Sequence, residues 1–262
     1  MCLIFLAVRC HPAYPLIIVA NRDEFLERAA APAHFWKDHP QVLAGQDLTA
    51  ATQPRGTWLG VNRDGRLAML TNYRDPAQLL DGAPSRGSLV TRYLTGSHSS
   101  GKDYLEGLRP EAAAYNGFNL IAGTPQELWW FSNRADHMRP VGDGIHGLSN
   151  HLLDTPWPKV NEGKENLRRL LDGSDAGAEK FLEAMQETKA YPDDLLPDTG
   201  VGIERERRLS ATFIRMPGYG TRCSTVIMYR SSGEVTFLER TYGEDGTTAG
   251  EARFDFQLNT HG

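Results

Sequence analysis

The chain has 262 residues, of which 40% are hydrophobic and 23% charged, and its formal net charge is −5. That length suits one large domain or two small ones, and the composition is that of an ordinary soluble globular protein. The acidic balance, with no basic cluster interleaved with aromatics, argues against a nucleic-acid partner.

Residues 2–8 are apolar at every position, which predicts a strand buried on both faces. His11-Pro12-Ala13-Tyr14-Pro15 predicts a turn, because two prolines do not extend a paired strand. Residues 16–20 form a second apolar run that leads into Asn21-Arg22-Asp23-Glu24-Phe25. The two runs predict a hairpin, whose second strand returns Arg22 and Asp23 toward Cys2. Residues 26–56, with Pro32, Pro40 and Pro54, predict a long loop that Phe35 and Trp36 anchor to the body.

Residues 57–61 and 67–71 flank an Asp64-Gly65 turn and predict the clearest hairpin of the chain. Its second strand ends at Asn72, a polar residue placed at a sheet rim. A loop over 73–86 precedes helices over 88–94 and 104–108. Strands are predicted over 119–122 and 128–131; Trp129 and Trp130 then face opposite sides, with one in the core. Another short strand ends at Asn150. Asp154-Thr155-Pro156 predicts a helix start, and Val160, Leu167, Leu170 and Leu171 line one face of that helix. A second helix covers 178–188. Residues 189–207, rich in Pro, Asp and Arg, predict an exposed segment. Strands over 210–215, 224–230, 235–240 and 254–258 complete the chain. Without repeats or a linker, a single domain over 1–262 is the economical reading.

Three cysteines, Cys2, Cys10 and Cys223, make no disulfide framework, and no His/Cys spacing suggests a metal. The first apolar run lacks a basic leader, and no stretch is long enough to cross a membrane as a helix. A cytoplasmic or organelle-matrix location follows as the expectation.

Cys2 carries the sharpest chemical signal. Once Met1 is removed, it bears both a thiol and a free α-amine. An α-amine titrates near ~8, so it can take the proton from its own thiol, and the thiolate attacks carbonyls. Arg22 lowers the thiol pKa through its fixed charge, and Asp23 holds the amine by a charge-assisted hydrogen bond. The alternatives stay open: a buried strand cysteine is common, and Arg22 and Asp23 also suit a salt-bridge cluster closing a strand. Strand neighbours point to opposite faces, so only one of the two is placed to reach Cys2 directly, and Glu24 is the substitute for Asp23.

The same stretch resembles a known family. Asn21-Arg22-Asp23-Glu24 is similar to the signature of the NRDE family, also called Transport and Golgi organisation 2. Gly56-Thr57-Trp58-Leu59-Gly60, Leu70-Thr71-Asn72-Tyr73 and Tyr115-Asn116-Gly117-Phe118-Asn119-Leu120 resemble further blocks of that family in order. So do Gly147-Leu148-Ser149-Asn150, Thr155-Pro156-Trp157 and Pro217-Gly218-Tyr219-Gly220-Thr221-Arg222. The resemblance implies an α+β fold, a four-layer αββα sandwich of the N-terminal-nucleophile hydrolase type, distantly similar to choloylglycine hydrolases and penicillin V acylases. It implies Asn72 and Asn150 as oxyanion donors and Arg222 as an active-site arginine; turn asparagines and a strand-edge arginine are the alternatives. Choloylglycine-type enzymes have Arg-x-x-Asp where this chain has adjacent Arg22 and Asp23.

Two functions follow as expectations. The resemblance implies intracellular small-molecule handling, as haem trafficking or lipid and acyl-CoA homeostasis, with a ligand held against aromatics such as Trp36 and Trp58. Cys10, His11 and His146 are then the candidates for a haem ligand. The residue chemistry implies a cysteine amidohydrolase or thioesterase that needs no cofactor and acts on an acyl amide or acyl-CoA.

Overall fold

The computed structural model describes residues 2–49, 55–135, 137–173 and 177–259. The chain opens with β1 (Cys2–His11), β2 (Tyr14–Phe25), β3 (Ala30–Phe35), β4 (Val42–Asp47), β5 (Leu59–Asn62) and β6 (Leu67–Asn72). Helices α1 (Gly87–Thr95) and α2 (Gly101–Leu108) follow, then β7 (Phe118–Gly123), β8 (Leu128–Ser132), β9 (His137–Val141) and β10 (Gly144–Leu148). The remainder is α3 (Pro158–Asp172), α4 (Ala178–Ala184), α5 (Ile203–Leu209), β11 (Arg215–Met216), β12 (Tyr219–Tyr229), β13 (Glu234–Tyr242) and β14 (Thr248–Gln257).

These elements form two compact units. The first comprises Met1–Glu27, Arg74–Ala77 and Asp143–Phe256; the second comprises Arg28–Tyr73, Gln78–Gly142 and Gln257–Gly262. The first unit holds a sheet of order β10-β1-β2-β12-β13-β14, with β11 on β12. Leu3, Phe5, Ala7, Ile17, Val19 and Val226 pack on one face against Val160, Leu167 and Leu171 of α3 and Phe181 and Leu182 of α4. The alternate residues Ile4, Leu6, Ile18 and Ala20 are buried as well, which accounts for the unbroken apolar runs. At Gly163 of α3 an added Cβ would lie 2.0 Å from Cζ of Phe5, so glycine sets how closely the helix approaches the sheet.

The second unit is a meander, β3-β4-β5-β6-β7-β8-β9, in which each strand pairs with its sequence neighbour. Ala44, Ala68, Leu70, Phe118 and Leu120 pack on one face against Leu89, Val90, Tyr93 and Leu94 of α1 and Leu105 of α2. Each unit thus supplies one antiparallel sheet and one helical layer, as the α+β class requires.

Local signals were read correctly where turn chemistry is explicit. Asn62 Oδ1 accepts from the backbone N–H groups of Asp64 and Arg66, and Gly65 takes φ 83°, closing the β5–β6 turn. Trp130 is core and Trp129 half-buried. The first turn is tighter than its two prolines predict: Pro15 sits inside β2, at the register shift between Val8 and His11, where no ladder donor is needed.

Four expectations are corrected. The loop expected over 26–56 contains β3 and β4; Pro32 is accommodated because β3 is an edge strand whose register shifts between Ala31 and His34. Trp36 is a core residue of the second unit, donating Nε1–H to the Ala44 carbonyl, whereas Trp58 is half-buried. The helix expected at Asp154 begins at Pro158, because Asp154 adopts φ 64° and serves as an acceptor instead. The exposed segment expected over 189–207 contains α5, whose Glu206 is buried.

Candidate active site

The strand pairing around Cys2 fixes which side chains share a face. Cys2 lies opposite Arg22, and Arg22 lies opposite Cys223 on the other flanking strand. Directly paired residues of an antiparallel ladder point the same way. Cys2, Arg22 and Cys223 therefore form a row across β1, β2 and β12. Asp23, the next residue along β2, belongs to the opposite face with Asn21. The register shift between Thr221 and Cys223 makes Arg222 the extra residue of a bulge; its Nη1 donates to the Leu26 carbonyl at 2.9 Å.

Asp23 is buried and accepts from the Thr221 hydroxyl at 2.7 Å, while the same hydroxyl accepts from the Ile214 N–H at 2.9 Å. Burial raises the Asp23 carboxyl pKa; the chain's amino terminus, Lys159, Thr221 and Arg74 oppose the rise. Asn21 is a strut. Its amide nitrogen donates to the carbonyls of Met185 and Thr212, and its oxygen accepts from Ser224.

Asn150 is buried just past the end of β10. Its backbone carbonyl accepts from the Arg74 N–H at 2.7 Å, and its side-chain oxygen accepts from Arg74 Nη2 at 3.3 Å. With that oxygen engaged, the amide nitrogen is the donor end. Arg74 makes a buried ion pair with Glu206 at 2.7 Å and lies 5.2 Å over the Trp157 ring. Glu206 also accepts from the Thr199 N–H and hydroxyl at 2.9 and 2.5 Å. Burial nevertheless lowers the Arg74 pKa, with Glu206 the largest opposing influence.

Lys159 lies in the first turn of α3 and is only 3% exposed. The helix dipole disfavours a cation there. Its Nζ donates to the Leu209 carbonyl at 2.8 Å. Burial, reinforced by Arg74, lowers its pKa to about 8, against the pull of Asp23, Glu206 and Cys2. The sign follows directly: between pH 8 and the ordinary lysine pKa of 10.5, the unfolded chain binds the extra proton, so stability rises with pH. The Lys159→Met variant is expected to lose this dependence. Its stability relative to wild type, followed by urea unfolding, should fall by about 3 kcal/mol between pH 7 and pH 10.5. A parallel pH dependence in the two proteins would refute a buried, charge-destabilised lysine.

Cys2 itself is nearly buried. Burial pushes its thiol up to about 11, with the chain's amino terminus and Arg22 pulling down and Asp23 and Glu24 pushing up. Tyr219 is likewise raised, by burial and then by Asp23 and Cys2.

Asn72 ends β6 in the second unit, where it pairs with Phe118 and is half-buried. Cys10 and His11 occupy the other end of β1, eight and nine residues beyond Cys2, roughly 26 Å or more along an extended strand. There Cys10 is exposed and His11 packs on Tyr14 at 5.1 Å, beside an open hollow shared with Pro12, Pro15 and Ser231. His146 lies opposite Leu6, with its Nδ1 2.7 Å from Asp154, whose other oxygen accepts from Lys164. The three haem-ligand candidates are thus distributed along β1 and its neighbour and not gathered around one slot. Among the described residues, no three His, Cys, Asp or Glu side chains are grouped to hold a metal, and no helix is long and apolar enough to cross a membrane.

Arg74, Lys159, Glu206 and Thr221 escaped the sequence reading. Three of them left a trace there: Thr221 lies within the Pro217–Arg222 block, Arg74 directly follows the Leu70–Tyr73 block, and Lys159 stands in a helix first turn that disfavours cations.

The model of the family described as "Transport and Golgi organisation 2" matches residues 1–244. The Transport and Golgi organization protein 2 homolog of Bos taurus is 37% identical over 279 residues, covering 99% of this chain and all of the relative. The Homo sapiens homolog is also 37% identical with the same coverage, and the Drosophila melanogaster protein is 28% identical over 92% of each chain. Among solved structures, a mutant conjugated bile acid hydrolase from Clostridium perfringens aligns with a TM-score of 0.46 at 10% identity, over 97% of this chain and 92% of that one.

Proposed function

The chain belongs to the Transport and Golgi organisation 2 family, and on that premise we propose that it handles a small acylated molecule in the cytoplasm, with Cys2 as the reacting group of an N-terminal-nucleophile hydrolase scaffold. One observation carries the reading: Cys2 shares a sheet face with Arg22 at the chain end where the buried charges of Asp23 and Lys159 also act.

In a chain processed to begin at Cys2, the α-amine takes the thiol proton and Arg22 favours the thiolate. The sulfur attacks the carbonyl of an amide or thioester, and the C=O electron pair moves to oxygen. The Asn150 amide stabilises that oxyanion. Collapse breaks the C–N or C–S bond, and the α-ammonium returns its proton to the leaving group. The same amine then activates water, which releases the acid and regenerates the thiol.

A second reading has its own support. With its pKa near 11, only roughly one Cys2 thiol in ten thousand is ionised at neutral pH. On this second reading a chain that keeps Met1 holds its ligand, acyl-CoA, an acyl amide or haem, without turnover. Intact mass of the protein from its native host separates the two. Loss of Met1 together with release of acid from a thioester panel supports hydrolysis. Retention of Met1 with no turnover excludes it, and a saturable Soret shift on haemin titration, weakened by His11→Ala or His146→Ala, then identifies the carrier.

A further inference from the structure

Arg22 is more than nine-tenths buried as a residue, at 8% exposure, yet among the described residues its guanidinium has no carboxylate, carbonyl or hydroxyl partner. A guanidinium carries five N–H donors and a permanent charge, and burying these unpaired costs several kcal/mol. The other buried arginine among the described residues, Arg74, does not share the condition: it has Glu206 and Asn150. The carboxylates nearest Arg22 in register are committed elsewhere. Glu239 is buried and bonds Thr225 and Cys223, and Glu24 accepts from the Phe25 N–H. Nor is the guanidinium sealed. None of its nitrogens is among the fully enclosed polar atoms lacking a partner, so each keeps contact with solvent.

We propose that Arg22 is the recognition point for an oxyanionic group, a carboxylate or phosphate, carried by the ligand close to the carbonyl presented to Cys2. The inference rests on the reading of the Cys2 face as the ligand site, and it names the ligand class: an acylated compound with a negative charge beside its acyl linkage. Three features select this chemistry. The guanidinium fork matches two oxygens of one planar or tetrahedral anion. Its flanking partners in the row, Cys2 and Cys223, are thiols that burial holds neutral, so neither supplies a counter-charge in the row. The partly excluded setting strengthens the attraction relative to water. A neutral acyl amide leaves the charge unpaired and is bound more weakly.

The test uses the full-length chain. Unfolding midpoints are recorded against rising sodium phosphate and, separately, sodium acetate, with sodium chloride at matched ionic strength as the reference. The proposal expects a saturable rise with phosphate or acetate beyond chloride, and at least a tenfold weaker apparent affinity in Arg22→Met and Arg22→Gln. The tighter of the two anions identifies the group. Without anion, the Arg22→Met midpoint should equal or exceed that of wild type, since an unpaired buried charge has been removed. Equal anion response in wild type and both variants overturns the proposal. So does a lower anion-free midpoint in Arg22→Met that Arg22→Lys restores, because Arg22 then has a structural partner. Should Arg22→Met not fold, the comparison rests on Arg22→Gln. Cys2→Ala is expected to keep the anion response, so failure of hydrolysis and failure of anion recognition read out separately.

Discussion

Cys2→Ala is expected to lower acyl release by roughly a thousandfold or more, because the variant retains oxyanion donors and binding but has no group to form the covalent intermediate. The fold should survive. Cys2 opens β1 and is one small side chain among many apolar neighbours, and truncation there costs about 1 kcal/mol. The comparison is made with thioester and amide substrates on protein whose mass shows Cys2 at the terminus, and circular dichroism verifies the fold. Undiminished turnover in a folded Cys2→Ala protein would remove Cys2 from the chemistry. Loss in a form that retains Met1 is also expected, since Met1 converts the Cys2 amine to an amide and removes the base while keeping the thiol.

The largest effect on stability is expected at Glu206. It is 3% exposed and is the ion-pair partner of Arg74, so Glu206→Ala leaves a buried guanidinium without its counter-charge. Removing one member of such a pair costs about 3–5 kcal/mol. The same change frees the Thr199 N–H and hydroxyl, which both donate to Glu206. Replacing both partners, Arg74→Met with Glu206→Met, should recover most of the loss, because two apolar side chains carry no desolvation penalty. Urea unfolding of the two single variants and the double gives the coupling directly. A loss below about 1 kcal/mol in Glu206→Ala would mean that Arg74 is compensated by other groups.

The two predictions draw on different kinds of information. Cys2, Arg22 and Asp23 were legible because they are local: an apolar strand, a two-proline turn and a second apolar strand return residues 22 and 23 toward residue 2, and the structure sets the register with Arg22 opposite Cys2. Alternation along β2 also placed Arg22 and Asp23 on opposite faces. The strands β3 and β4 were not legible, because proline and small residues read as loop unless an edge position and a bulge are known to accommodate them. Asn150 was read as a donor from its block, but the orientation of its amide follows from Arg74, which lies 76 residues away in sequence.

By itself the sequence determined the family, the α+β class, the leading hairpin and the thiol at position 2, all consequences of short-range pattern or of whole-chain similarity. Tertiary structure alone decided the electrostatics. Lys159 stands at the start of an amphipathic helix, where pattern predicts exposure, and packing buries it instead. Arg74 and Glu206 are separated by 132 residues and pair only because the fold of the first unit brings Arg74 and α5 to one place. Burial and charge pairing depend on which segments meet in space, and no local rule of residue type or spacing carries that information.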